Sequence, residues 1–332
     1  MLKIQTHALL HYTIVVTLFH TLKSASLHST TRSKANTTPF MSSLVELKPD
    51  SPGIRLENST HVCEIHAHGA HVTSWQRKSD GRELIFTSEA AVFDGKKAIR
   101  GGIPICFPQF SDMGPCETSH GFARNCEWDV RSMDGATRVT FGLSMEDARR
   151  MRADATRGFK GEFDVEYEVL LEGAKLVTTM RVRNTSSCDE DLSFTTALHT
   201  YFRVGDCEEA SVSGLCGNAY LDNLDARMKK VDEADEVRFR GEVDRIYTDT
   251  ATNTLTLKDR ALKRVFTIEK SATLPDAVVW NPWIDKARAM GDFGDEEYKD
   301  MVCVEAANVT GVRLNAGETW EASQRIACVD DL

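Results

Sequence analysis

Across residues 163–169 the chain alternates without a break: Phe163, Val165, Tyr167 and Val169 are apolar, and the residues between them are Asp164, Glu166 and Glu168. Successive side chains leave a strand on opposite faces, so one face belongs to a core and the carboxylate face to water. Glu172 and Gly173 supply a turn. Leu176, Thr178, Met180 and Val182 then resume the alternation opposite Val177, Thr179, Arg181 and Arg183. The two runs read as an antiparallel hairpin lying over a core.

Short runs of the same kind recur at 62–66, 71–75, 138–143, 254–257, 265–269, 301–305 and 324–329, separated by turn pairs such as Asp134-Gly135 and Ala316-Gly317. Helical periodicity is confined to 146–155 and 284–290. Many short strands and few helices predict an all-β fold, a large two-sheet sandwich of mainly antiparallel strands, in one domain spanning 46–332. No glycine-rich phosphate loop, GxGxxG or GxxxxGK[ST], occurs, so a nucleotide fold has no support.

At 332 residues and 41% hydrophobic composition the chain can bury a large core, and no run of 18 apolar residues calls for a membrane span. Residues 1–45 hold Lys3, Lys23, Arg32 and Lys34 and no acid, whereas 36 basic and 50 acidic residues follow, a net charge of −14. An acidic body repels nucleic acid and anionic lipid at long range, but it admits a small anion held by a local cluster of cations.

Within the first 45 residues, 11 of the 23 from Thr21 to Ser43 are Ser or Thr. This acid-free stretch resembles an organellar, plastid-like transit peptide, and without such a role the chain is expected in the cytoplasm. The nine cysteines form no CxxC pair, which predicts reduced core residues rather than disulfides or a metal centre.

Polar residues inside apolar or glycine-rich runs are the candidates for chemistry. Glu305 closes the run Val302, Cys303, Val304, where burial would raise its pKa toward a general base's range; an exposed strand end is the other reading. His199 precedes Tyr201 and Phe202 and reads either as a catalyst or as a hydrogen-bonded core histidine. Arg100 opens RGGIPICFPQ (100–109) and Arg124 ends HGFAR (120–124), glycine-bearing turns in which a guanidinium can bind an anion bidentately or simply pair with an acid. Trp280 and Trp283 suit a sugar-facing wall or a packed edge.

Seven segments in order, GAHVTSW (69–75), RGG (100–102), HGFAR (120–124), ALHTYF (197–202), VDRIY (243–247), VWNPW (279–283) and VCVE (302–305), resemble the aldose 1-epimerase superfamily. The likeness is to its hexose-6-phosphate mutarotase branch, the glucose-6-phosphate 1-epimerases. That resemblance implies a galactose-mutarotase-like β-supersandwich, with His199 and Glu305 as the catalytic pair. It further implies substrate binding by Arg100, Arg124, His120 and Asp244, with Asp222 as the rival for the last position. Relatives often carry Gln before that histidine, where this chain has Ser119.

The implied reaction interconverts the α and β anomers of a hexose 6-phosphate by acid/base ring opening and closure, with no metal and no cofactor. Ordinary pKa values would assign the acidic limb of a bell-shaped pH profile to Glu305 and the alkaline limb to His199. Two other readings stay open: an epimerase of unphosphorylated aldoses, and a non-catalytic carbohydrate-binding sandwich. The oligomeric state is left open, with a monomer allowed.

Overall fold

The computed structural model describes residues 44–187 and 190–330. The leader through residue 43 and Cys188 lie outside the described residues. Within them, the alternating run becomes the strand Phe163–Glu172, whose odd-numbered residues from Phe163 to Leu171 are all buried while the acids between them are partly exposed. It pairs with Lys175–Asn184 from Phe163 opposite Asn184 to Glu172 opposite Lys175, so the turn is two residues long.

The strands form three sheets, and every pairing between named strands is antiparallel. The predicted two-sheet sandwich is therefore corrected to three sheets. Val45–Lys48, Ser51–Glu57, His61–His66 and His71–Arg77 make a four-stranded meander of their own. Local alternation specifies a strand but not its partners, so this separation was invisible in the sequence.

The hairpin belongs to the nine-stranded sheet, beside Thr319–Asp330 and Arg138–Ser144. The eight-stranded sheet runs from its edge through Val243–Tyr247, Asp276–Asn281, Met301–Leu314 and Leu192–Leu198 to Ile105–Cys106. The two large sheets meet through apolar side chains. Phe194 packs edge-on to Trp320 at 5.4 Å, and Phe202 to Phe266 at 5.0 Å. Such close-packed aromatic pairs contribute about 0.5–1.5 kcal/mol each beyond their area burial.

Among the described residues α-helix is limited to Met145–Met151, Ala153–Thr156 and Trp283–Ala289, close to the two expected positions. Ser144 caps the first by accepting from Asp147 N at 3.1 Å. Among the described residues no helix is long and apolar enough to cross a membrane. Eight cysteines are free thiols, all buried except Cys216.

Candidate active site

The register of the eight-stranded sheet assembles the site. Directly opposed residues of an antiparallel pair project from the same face. Asp244 stands opposite Trp280, Trp280 opposite Cys303, and Cys303 opposite Tyr201, making one row across four strands. Glu305 lies two residues beyond Cys303 on the same face, opposite Val278. Leu198 pairs with Ala306, so the chain leaves this strand at His199, beside Glu305.

The arginine loop is tied to that exit. His199 N donates to Pro104 O at 3.1 Å and Tyr201 N to Gly102 O at 2.9 Å. Gly102 has φ +66°, and a Cβ there would stand 2.2 Å from Val72 O and 2.6 Å from His71 Nε2, so only glycine fits. His71 Nε2 in turn bonds Gly101 O at 2.7 Å, which fixes the turn that carries Arg100. Gly121, at φ +70°, brings its backbone within a Cβ's reach of Phe107 O and so places His120 and Arg124 over the same sheet.

These elements enclose a cavity of about 350 Å³, within the range of small-molecule sites. His199, Glu305, Arg100, Arg124, Asp244 and His120, the six residues singled out from the sequence, all line it. Asp222 does not. Its carboxylate binds Lys230 Nζ at 2.7 Å and caps Leu224 N, outside the cavity wall. Trp280 and Trp283 divide the two readings given to them: Trp280 lines the cavity, while Trp283 packs on Tyr298 at 5.2 Å.

His199 and Glu305 are both buried, and His199 Nδ1 lies 3.2 Å from Glu305 Oε1. The contact is within ion-pair distance but out of line for a hydrogen bond, so Nδ1 has no hydrogen-bond partner, and neither does Glu305 Oε2. Tyr201 stacks on the imidazole at 4.8 Å with an interplanar angle of 10°, and Trp280 meets it edge-on at 6.0 Å. The ring is thus held from two sides.

Burial pushes the Glu305 carboxyl well above its ordinary range, Asp244 pushes it further, and Arg124 opposes both. His199 is pushed well below the usual imidazole value by burial, then by His120, Arg124 and Arg100. Both shifts disfavour the charged forms, so the pair favours a shared proton held on the carboxyl over a carboxylate beside an imidazolium.

His120 Nδ1 accepts from Ser111 N at 3.2 Å, and since a backbone N–H can only donate, the ring's own proton sits on Nε2. Burial and the two arginines lower this histidine to about 3, so it is a neutral donor at physiological pH. Asp244 accepts from Asn223 Nδ2 at 2.6 Å and lies 3.5 Å from Lys286 Nζ, yet burial still raises its pKa.

The arginines differ. Arg124 gives one bond, from Nη2 to Ser119 O at 3.0 Å, and its buried Nε has no partner. Arg100 is already paired with Asp292 through Nε at 3.1 Å and Nη2 at 3.3 Å.

Sequence reasoning missed Asn223, Lys286 and Met290, which also line the cavity. Asn223 and Lys286 had a latent signal in their reach to Asp244, but only the register of neighbouring strands reveals it. Also unseen was the approach of donor atoms on His199, Cys303 and Glu305 to within 4.8 Å of one another. Burial raises both the Cys303 thiol and the Glu305 carboxyl, which opposes the anionic forms that cation binding needs.

Comparison with known proteins adds an independent line. A family model described as aldose 1-epimerase matches residues 52–327. A protein of Cenchrus ciliaris with the provisional name glucose-6-phosphate 1-epimerase is 39% identical over 300 residues, covering 88% of each chain. A protein of Escherichia coli K12 with the same provisional name is 32% identical over 251 residues, 72% of this chain and 77% of its own.

Among solved structures, a candidate mutarotase from Salmonella typhimurium superposes with a TM-score of 0.72 at 24% identity, covering 86% of this chain and 96% of its own. A galactose mutarotase-like protein from Lactobacillus casei gives 0.66 at 17% identity, covering 83% and 100%. These two share the fold. With the family match spanning both large sheets and every residue that lines the cavity, the chain belongs to the aldose 1-epimerase family.

Proposed function

We propose that this protein is an isomerase that interconverts the α and β anomers of a hexose 6-phosphate, glucose 6-phosphate above all. The observation that carries the reading is the buried His199–Glu305 pair at 3.2 Å, unsatisfied at both facing groups, in a cavity that also holds two arginines. The names of the Cenchrus ciliaris and Escherichia coli relatives support the choice of sugar. The net negative charge favours a small ligand over nucleic acid.

Anomer exchange opens a cyclic hemiacetal and closes it on the other face. Glu305 accepts the proton of the C1 hydroxyl, the bond from C1 to the ring oxygen breaks as the C1 carbonyl forms, and His199 gives its proton to the ring oxygen. After rotation about the bond from C1 to C2, each step reverses. One proton is carried by the pair throughout, so no net acid or base is consumed.

Opening starts from carboxylate and imidazolium and ends with both groups neutral, the state that burial favours. Charge is therefore lost on the way to the open chain, in a pocket that penalises charge. The phosphate assists the start of the cycle. A dianion seated near Arg100 and Arg124 offsets the positive field on His199, which feels both arginines, more than that on Glu305, which feels Arg124 alone. Asp244 and His120 hold sugar hydroxyls as acceptor and donor.

The catalytic domain spans 46–332, and 1–45 is a leader outside it, placing the protein in an organelle if it targets the chain and in the cytoplasm otherwise. Exchange spectroscopy of anomers at equilibrium tests the function. The expected result is acceleration of glucose 6-phosphate exchange with kcat/KM roughly tenfold to a hundredfold above that for glucose, the worth of one or two charge-assisted bonds. Equal values for the two sugars would overturn the phosphate assignment; no acceleration of either would overturn the enzyme.

A further inference from the structure

A second cavity of about 290 Å³ adjoins the first and shares Arg100, Arg124 and Tyr201 with it. Lys97 adds a third cation to its wall, and Asp292 is its single acid. The Asp292 carboxylate lies bidentate on Arg100, one oxygen on Nε at 3.1 Å and the other on Nη2 at 3.3 Å. That fork is also the one through which a guanidinium holds two phosphate oxygens.

The pair is open to exchange. Its side chains are 28% and 26% exposed, so one anion can replace another without opening the core. Asp292 follows Gly291 and precedes Phe293, whose ring is buried at 5.6 Å from Phe86. The backbone is thereby anchored next to Asp292, and rotation of the carboxylate alone frees Arg100 Nε and Nη2, while Nη1 keeps its 3.5 Å contact with Tyr201 OH.

We propose that Asp292 sets the affinity for the phosphate: its carboxylate holds the seat on Arg100 that the 6-phosphate takes, and it must be displaced by that phosphate. This rests on the reading of Arg100 as part of the phosphate site. A phosphate of charge about −1.5 to −2 outcompetes a carboxylate of −1 for the same fork, while the uncharged hydroxymethyl of a free sugar does not. Free sugars therefore meet a closed second cavity, and phosphorylated sugars lose some affinity to the exchange, since apparent binding is scaled by the fraction of sites with Arg100 free.

Asp292→Asn keeps the shape and removes the charge. In the variant, KM for glucose 6-phosphate should fall about threefold to tenfold, with a smaller change in kcat. Inorganic phosphate, tested as a competitive inhibitor, should tighten by the same factor, and the parameters for glucose should stay within twofold. If Asp292 instead only braces Arg100, KM for glucose 6-phosphate rises and phosphate inhibits less, which overturns the proposal.

Arg100→Gln separates the two possible failures. No change in its KM for glucose 6-phosphate would remove Arg100 from the phosphate site and the proposal with it. A raised KM in Arg100→Gln, with no fall in Asp292→Asn, would leave the phosphate site standing and sink Asp292's role alone. Should Asp292→Asn fail to fold, carboxyl ¹³C spectra of the wild-type protein serve instead. The Asp292 resonance should shift as inorganic phosphate is added, and a resonance unmoved at saturation overturns the proposal.

Discussion

Two buried acid–base pairs among the described residues are finished differently. Asp259 and Arg264 are fully buried with Nε at 3.0 Å from the carboxylate. Every remaining facet is bonded: Arg264 Nη1 to Glu83 O at 3.3 Å, Nη2 to Arg203 O at 2.5 Å, and Asp259 to the backbone N–H groups of Gly205 at 3.2 Å and Leu262 at 3.1 Å. Glu305 and His199 are nearly as buried, yet Oε2 and Nδ1 bond to nothing. The first pair is a joint between loops and a strand. The second keeps unmet hydrogen-bonding capacity beside the cavity, as the proposed proton exchange requires.

The largest effect should come from the open pair. Glu305→Gln and His199→Asn preserve shape but stop proton transfer, so each should lower kcat by about a hundredfold to ten-thousandfold without lowering the melting temperature. The double variant should lose little more than either alone, as single-turnover anomerisation would reveal. For the closed pair the pattern inverts. Asp259→Ala leaves a buried guanidinium uncompensated and should cost about 3–5 kcal/mol in denaturant unfolding, with kcat per folded molecule unchanged. A kcat loss in Asp259→Ala larger than its stability loss would break the comparison.

Acid should weaken the frame of the site. Burial lowers His66 to about 4 and His71 to about 3, below the value near 6.5 of an unfolded chain. Because the unfolded state binds more protons in this window, the stability these rings confer is complete above about pH 6.5 and is lost as pH falls toward 4 and then 3. Each contributes on the order of a few kcal/mol. Urea titrations at stepped pH should show the decline, and His71→Asn should flatten its lower part.

Smaller still is the difference between the arginines. Arg124→Ala should raise KM for glucose 6-phosphate by about 1.5–3 kcal/mol in binding terms, and Arg100→Ala by less, because Arg100 begins paired with Asp292. Deleting residues 1–44 should change neither activity nor melting temperature measurably. Insolubility of the truncated chain alone would place the leader inside the fold.

Much of this was legible in the sequence. The 163–169 alternation marked its own buried face and the hairpin, and periodicity marked the two helical stretches; His199, Glu305, Arg100, Arg124 and His120 stood out as polar residues in apolar or glycine-rich runs, whereas Asp244 came only from the family resemblance. What stayed hidden depends on register or on distant contacts. Asp244 and Asp222 are indistinguishable as letters; strand pairing turns one to the cavity and the other to Lys230. Asp292 sits 192 residues from Arg100, and no local pattern joins them.

The pH expectation is also corrected. Burial raises Glu305 as expected, but His199 falls below its usual value because two arginines and a second histidine lie near it. We therefore expect the order of the two ionisations to be reversed, with the acidic limb set by a second proton arriving mainly on His199 and the alkaline limb by loss of the proton held mainly on Glu305.

That reversal tests the account most directly, through the pH dependence of kcat/KM for anomer exchange by the wild-type protein, measured with glucose 6-phosphate and again with glucose. The second sugar removes the substrate's own ionisation near pH 6. A shared one-proton pair predicts a bell with activity sustained as pH rises through 6.5, its acidic limb below the ordinary imidazole range and its alkaline limb above the ordinary carboxyl range. Activity that falls away through pH 6.5 with both sugars, as an ordinary imidazolium loses its proton, would contradict it.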